Sequence, residues 1–191
     1  MTRELGASVV PPLHRPWDPD ESVDFHAARL LVLLRRCGDG SRCQIEGRTK
    51  LAKLDFFVRY PSFLERAINA LRRTGTAAAE WQAHGAEVEA PMIRYRYGPW
   101  DPRYRQFLAF LEARQLIRIS VTKPERVSLT AAGLKLAEQV AATDSFSPIV
   151  ERCDAMVGNL AALTGTQLKD LVYELFPTEV GELPMRSEIK P

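Results

Sequence analysis

The feature that most constrains the fold is the order of elements predicted over residues 100 to 143, namely a helix, a short hairpin and a second helix. Pro102 suits a first helical turn and Asp101 can accept from its free N–H groups, so the first helix is expected to run from Pro102 to about Gln115. Residues 116 to 129 then alternate apolar and polar side chains around a TKPER turn, which predicts two short strands. Thr130 can cap the second helix. This order is the strongest structural signal in the sequence.

The chain before residue 100 predicts three further helices. Ser22 or Asp24 can cap a helix that is expected over residues 24 to 36 and ends at Gly38 and Gly40. Residues 49 to 59 place apolar side chains at helical spacing, which predicts an amphipathic helix with a basic outer side. Pro61 begins another helix that continues to residue 73. The first half of the chain is therefore expected to be helical.

Three segments lie outside these helices. Residues 1 to 21 contain four prolines, which predicts an extended N-terminal arm. Residues 74 to 91 are rich in alanine and glycine and are expected to form a loop insertion. Residues 92 to 97 alternate in the manner of a strand, and Gly98 is expected to break it.

The register LEARQLIRI, a loop, and VSLTAAGLKLAEQV resembles the winged-helix domain. With the earlier helices, this resemblance covers residues 22 to 143. The expected fold is thus mainly α with a small β-wing: a winged helix-turn-helix domain, followed over residues 144 to 191 by a C-terminal helical extension and acidic tail. Winged helices occur both in DNA-binding regulators and in protein-docking subunits, so the fold alone does not decide the function.

The C-terminal extension contains two predicted helices with broad apolar faces. These faces either pack back on the domain or are covered by a partner subunit or a second copy of the chain. The tail from Thr178 to Pro191 is acidic and flanked by prolines, and it is expected to fold only against a partner.

The net charge of +2 conceals two regions of opposite sign. Residues 48 to 73 carry seven Lys or Arg and two acidic residues, whereas residues 144 to 191 carry four Lys or Arg and eight acidic residues. The overall balance excludes a uniformly basic protein that coats nucleic acid. The asymmetry predicts an anionic partner for the middle of the chain and a different partner for its C-terminal part.

A duplex would be contacted by two elements if the domain binds DNA. The helix from Pro102 would enter the major groove and the hairpin would contact the backbone. Arginine can read guanine edges and both cations can neutralise phosphates. The alternative is a solvated helix face and hairpin tip. The candidate DNA-binding residues are Arg103, Arg105, Gln106, Lys123 and Arg126.

A second basic surface is predicted on the two helices that meet at Pro61. Phosphate contact by these residues and simple solvation of the outer helix faces both remain open from sequence. The members of this surface are Lys50, Lys53, Arg59, Arg66, Arg72 and Arg73.

Three phrases point to a narrower resemblance: TKLAKLDFFVRYPSFLERA, RYGPWDPRYRQFLAFLEARQLIRI and ELFPTEVGELPMRSEI. Together they resemble the small middle component of bacterial three-component ABC-ATPase conflict systems, which include the accessory subunit of Lamassu-type defence. This resemblance implies a non-catalytic winged-helix subunit that binds an SMC-like coiled-coil ABC ATPase and acts beside an effector nuclease against phage or plasmid DNA. The alternative is a stand-alone, dimeric winged-helix transcription regulator.

The sequence contains no motif that predicts catalysis or a cofactor. It lacks a G-x-x-x-x-G-K-[ST] phosphate loop, a G-x-S-x-G elbow and any spaced His and Cys ligands for a metal. The N-terminus shows no apolar signal segment and no stretch has the length of a membrane span, so a cytoplasmic protein is expected. Cys37, Cys43 and Cys153 are then expected to be free thiols.

Overall fold

The computed structural model describes residues 21–75, 81–84 and 91–190. The predicted N-terminal arm, apart from residue 21, lies outside the described residues, as does most of the predicted loop insertion. Within the described residues the chain is mainly helical, with one three-stranded and one two-stranded antiparallel sheet. The predicted class, mainly α with a small amount of β, is therefore confirmed.

The first helix, α1 (Val23–Cys37), begins and ends as the sequence predicts. The Ser22 hydroxyl accepts the N–H of Phe25 at 3.2 Å and caps the first turn. At the other end, a Cβ on Gly38 would lie 2.3 Å from the carbonyl carbon of Cys43, so only glycine fits there. The chain then turns tightly into the short strand β1 (Ile45–Glu46).

Two helices follow and meet at a corner. Helix α2 (Arg48–Arg59) is buried along almost its whole length, and α3 (Pro61–Arg73) has Pro61 in its first turn. Helix α2 contacts α3, two helices of the C-terminal extension, α6 (Ser147–Met156) and α7 (Gly165–Leu175), and two strands, so neighbours surround it. The predicted basic outer side of this helix is therefore wrong.

The segment after the insertion forms a hairpin rather than a single strand. Strand β2 (Ile93–Tyr95) pairs with β3 (Gly98–Trp100) through a two-residue turn. Gly98 was expected to break the strand, but with φ +98° it begins the return strand instead. The hairpin places β3 against α2.

The predicted helix, hairpin and helix are present from Tyr104 onward. Helix α4 (Tyr104–Ala113) begins two residues later than predicted and leads into β4 (Ile117–Ile119). Strand β5 (Arg126–Leu129) pairs with β4 on one side and β1 on the other, which gives the sheet order β1-β5-β4. Thr130 caps α5 (Ala131–Ala141) by accepting the N–H of Gly133 at 3.0 Å.

The C-terminal extension packs on the rest of the chain. Helix α6 (Ser147–Met156) lies against α1, and α7 (Gly165–Leu175) lies against α2, so their apolar faces belong to the same hydrophobic core. A stable fold of these helices thus requires no partner to cover them.

The acidic tail also folds against its own chain. The N–H of Ile189 donates to the carbonyl of Met92 at 2.8 Å, and the N–H of Arg94 donates to the carbonyl of Ser187 at 2.8 Å. The Ile189 side chain is buried and its carbonyl accepts from the hydroxyl of Tyr60 at 3.1 Å. The expectation that this tail folds only against a partner is wrong, because β2 and the core supply its backbone and apolar contacts.

Candidate functional site

The five residues predicted to contact DNA lie on α4, just before it and on the β4–β5 hairpin. We call the exposed part of α4 and this hairpin the α4–wing face. Arg105, Gln106 and Lys123 are exposed on it. Arg103 and Arg126 are only partly exposed, and both are engaged within the chain.

Arg103 forms an ion pair with Asp101, two residues before it. Its Nε and Nη2 donate to the two carboxylate oxygens of Asp101 at 3.1 and 2.9 Å, and its guanidinium lies over the ring of Phe107. Asp101 also accepts the backbone N–H of Arg103 at 2.9 Å, but α4 begins at Tyr104 with Arg103 as its N-cap, so the prediction that Asp101 is the N-cap of this helix is wrong. A guanidinium held by two charge-assisted bonds is not available to a guanine edge.

Arg126 forms an ion pair at the base of the β4–β5 hairpin. Its Nη2 donates to Glu46 on β1 at 3.3 Å, and nearby Arg48 donates to Glu125 at 2.8 Å. These pairs are partly exposed, so a competing phosphate can displace them at modest cost. Only Arg105 and Lys123 of the predicted cations are exposed without an ion pair in the described part of the chain.

Three members of the predicted second basic surface are buried instead. Lys50, Lys53 and Arg59 lie on α2, which is enclosed by its neighbours. Apolar residues occupy several sides of α2, but half of its residues are polar or charged, so its own sequence does not distinguish a buried helix from an amphipathic one. The assignment of these three residues to a basic outer surface is wrong.

The other three members lie on α3 and are exposed. Arg66 donates to Glu179 and, at 3.1 Å, to the carbonyl of Leu175. Arg72 and Arg73 lie in the last turn of α3. Since α3 packs against α2, α6 and α7, it belongs to a different part of the molecule from the α4–wing face.

Arg59 belongs to a buried network of charges that holds α1, α2 and α4 together. Arg29 donates to both carboxylate oxygens of Asp55 at 2.8 and 3.2 Å, and the Tyr104 hydroxyl donates to the same carboxylate at 2.6 Å. Arg59 donates to Asp101 at 2.8 Å. The network fixes the start of α4 against the two helices beneath it.

Burial and charge act in opposite directions on the acids of this network. Burial raises the pKa of Asp55, but the charges of Arg29 and Arg59 outweigh it, so the pKa lies below its ordinary value. Burial also raises the pKa of Asp101, and hydrogen bonds from Arg103 with the charge of Arg59 lower it to about 2. Both carboxylates are therefore ionised at neutral pH and serve as structural partners.

Lys53 differs from the other buried cations because no acid accompanies it. In the described residues its amino group has no carboxylate within 4.0 Å, and it donates a single hydrogen bond, to the carbonyl of Pro99 at 3.4 Å. It borders a cavity of about 170 Å³ between α2 and the β2–β3 hairpin, lined by Arg48, Thr49, Lys53, Tyr95, Tyr97, Gly98 and Trp100. Burial, with the charge of Lys169, lowers the pKa of Lys53 to about 7.

The described residues hold no group of three or more His, Cys, Asp or Glu side chains arranged for a metal ion. Cys37, Cys43 and Cys153 are buried free thiols, as expected. No helix within residues 21–75, 81–84 and 91–190 combines the length and apolar character that crossing a membrane requires.

Comparisons of the chain with protein-family models, with curated proteins and with solved structures find no match. The resemblance to accessory subunits of ABC-ATPase conflict systems therefore stays a prediction from the sequence.

Proposed function

We propose that the chain is a non-catalytic winged-helix adaptor subunit whose α4–wing face docks on a partner protein. The arrangement of elements supports a winged helix: α4 leads directly into β4, the β4–β5 hairpin follows, and β1 pairs beside β5. The three phrases that resemble conflict-system subunits favour an SMC-like coiled-coil ABC ATPase as the partner, with an effector nuclease in the same complex.

The charge of the outer face of α4 is the observation that carries this proposal. The exposed residues of the helix are Arg105, Gln106, Ala109, Glu112 and Ala113. One cation and one acid give no net charge, whereas binding to a duplex depends on cations that neutralise phosphates. A face without net charge suits contact with protein better than contact with a duplex, since interface centres are depleted of charged residues.

Contact with DNA is a secondary part of the proposal. Arg105 and Lys123 are exposed at two separate points of the α4–wing face, one on the helix and one on the hairpin. Two such cations give weak attraction for a duplex by themselves. They add to DNA binding when the partner ATPase supplies most of the phosphate contacts.

Co-expression with the products of the neighbouring genes tests the docking. We expect the chain to co-elute on gel filtration with a large coiled-coil ATPase. Ala109→Arg places a charge in the middle of the proposed interface and is expected to abolish co-elution. Ala162→Arg, the same change at an exposed position between α6 and α7, is the matched control and should leave co-elution intact.

Two results would refute the adaptor function. One is equal co-elution of the Ala109→Arg and parent proteins. The other is elution of the isolated chain as a dimer that binds one palindromic duplex at nanomolar concentration, which is the behaviour of a stand-alone regulator.

A further inference from the structure

The cavity beside Lys53 adjoins a wider and more polar basin. The basin has a volume of about 430 Å³, and Thr49 and Tyr97 line both spaces. Its wall is formed by the first turns of α2 and α7 together with the side chains of Lys50 and Lys169. A ligand that fills the cavity can therefore extend into the basin without leaving the protein surface.

The N-termini of helices α2 and α7 give the basin a positive potential. Helix α2 begins at Gly47, which has no side chain to cap the free N–H groups of the first turn. A Cβ on Gly165, in the first turn of α7, would lie 3.4 Å from the backbone nitrogen of Lys50, so the two helix N-termini meet there. Each N-terminus carries partial positive charge, which favours an anion between them. In α7 a capping box already engages the N–H groups of Thr164 and Gln167, so the N–H groups of α2 and of the residues between these two are the ones that face an anion.

Each basic side chain at the basin has an acidic partner, so the helix N-termini are the source of its positive potential. Glu46 lines it and accepts from Arg126. Lys50 is buried, and its nearest acid, the exposed Asp39, is 3.9 Å away. Lys169 pairs with its exposed neighbour Asp170 at 2.9 Å.

The cavity has an aromatic lining that suits a flat ring. Tyr95, Tyr97 and Trp100 supply three aromatic side chains, with the ring centroids of Tyr95 and Trp100 6.4 Å apart and the Tyr97 side chain 53 % exposed. A Cβ on Gly98 would lie 3.2 Å from Cε of Lys53, so the hairpin closes tightly over this lysine. The lysine side chain is 1 % exposed.

Lys53 has N–H donors that form no hydrogen bond within the described residues. An ammonium group carries three N–H donors, and the single bond to Pro99 uses one of them. A buried charge without an acid is costly unless a ligand completes its hydrogen bonds. Lys53 lines this cavity together with the aromatic side chains, so a bound ring with acceptor atoms can satisfy its remaining donors.

We propose that the cavity and the basin together bind a nucleoside phosphate. The base lies in the cavity against Tyr97 and Trp100 and accepts a hydrogen bond from Lys53. The phosphate lies in the basin, where it meets the first turns of α2 and α7 with Lys50 and Lys169. Stacking on aromatic side chains and phosphate binding at helix N-termini are general modes of nucleotide recognition.

Such a group comes either from a free mononucleotide or from the 5′-phosphorylated end of a DNA strand. Isothermal titration calorimetry of the full chain distinguishes these sources. One arm uses adenosine and guanosine 5′-monophosphate, and the other uses a single-stranded hexanucleotide with and without a 5′-phosphate. Binding of the mononucleotides supports the first source, and binding of the phosphorylated strand alone supports the second.

Two substitutions test the site itself. Lys53→Met keeps the shape of the side chain without its charge, and Tyr97→Ala removes an exposed ring that contributes little to folding. Each is expected to raise the dissociation constant roughly tenfold or more. Lys135→Met, at an exposed position of α5, is the matched control and should leave the constant unchanged.

Three outcomes would overturn the site. These are no heat of binding for any of the probes at millimolar concentration, inorganic phosphate binding as tightly as the nucleotides, or unchanged affinity in Tyr97→Ala. The last test holds even if Lys53→Met fails to fold, since Tyr97 is exposed and its removal leaves the core intact.

Discussion

Lys53 is the residue whose environment departs most from its usual one. Its pKa of about 7 in the folded protein lies below the ordinary value of 10.5, because burial and the charge of Lys169 disfavour the ammonium form. Between these two pH values the unfolded chain binds more protons than the folded chain, so the contribution of Lys53 to stability becomes more favourable as pH rises. Below pH 7 the folded protein bears the full cost of a buried ammonium.

Replacement by an uncharged side chain of similar shape should remove that cost. We expect Lys53→Met to raise the free energy of unfolding by roughly 1–3 kcal/mol at pH 6, and the gain to shrink as the pH rises to 9.5. Urea denaturation at pH 6, 8 and 9.5 measures it, with Lys123→Met as the exposed control. A gain that stays constant across this range would show that Lys53 keeps an ordinary pKa.

Asp55 is the buried acid on which the charged network depends. It accepts from Arg29 and Tyr104, and Arg59 lies 3.9 Å from it. Asp55→Asn leaves two buried guanidinium groups without this negative charge, which is expected to cost about 3–5 kcal/mol of stability. Chemical denaturation checks this value, and Asp170→Asn at an exposed pair should cost less than about 1 kcal/mol. A loss of similar size in both variants would contradict the structural role of the network.

At the scale of elements, the junction of α4, β4 and α5 depends on one glycine. A Cβ on Gly133 would lie 1.9 Å from the carbonyl oxygen of Leu116, while Thr130 bonds the same carbonyl through its N–H at 3.0 Å. The first turn of α5 therefore lies directly on the end of the preceding connection. No rotamer change can relieve a contact with backbone.

We expect Gly133→Ala to destabilise the protein by about 1–3 kcal/mol, because α5 must move away from Leu116. The loss should appear as a lower midpoint in thermal unfolding followed by circular dichroism. Ala132→Gly, at the exposed neighbouring position, should cost only about 1 kcal/mol through helix propensity. A neutral or stabilising effect of Gly133→Ala would show that this close approach does not exist in solution.

The local elements were predictable because each has its signal within a few residues. Ser22, Thr130 and Pro61 begin their helices as expected, and the wing strands lie where the alternation places them. The return strand β3 was not predicted, because a glycine such as Gly98 suits a positive φ within a hairpin as well as it suits the end of a strand. The pairing of the tail with β2 was missed for another reason, since it joins residues more than 90 positions apart and leaves no periodic trace.

The whole molecule decides which cations face solvent, and a sequence does not contain that information locally. From sequence, the lysines and arginines of α2 predict a basic helix face. In the structure this face is covered by α6 and α7, which lie far along the chain. Likewise the sequence predicts that Arg103 contacts bases, whereas in the structure its guanidinium pairs with Asp101 and lies over the ring of Phe107. The fold class was thus accessible from sequence, whereas the candidate site was only partly so.

Arg103 and Arg126 are engaged within the chain, so they do not add to the DNA affinity of the isolated protein unless their ion pairs open. Of the residues predicted to contact a duplex, Arg105 and Lys123 remain exposed without an acid partner in the described structure. Each phosphate contact contributes about −0.9 to the slope of log affinity against log salt concentration. Two contacts contribute a slope no steeper than about −2, so these two residues alone bind a duplex weakly at physiological salt.

Fluorescence anisotropy with a labelled 20-base-pair duplex at several salt concentrations measures this slope. Arg105→Ala combined with Lys123→Ala should make the slope shallower by up to about 2, whereas Arg66→Ala, in the α3 pair with Glu179, should leave it unchanged. A slope of −5 or steeper for the parent chain would require several further phosphate contacts. The surface pairs of Arg103 and Arg126 would then have to open when DNA binds, and the α4–wing face would be a duplex-binding surface in its own right.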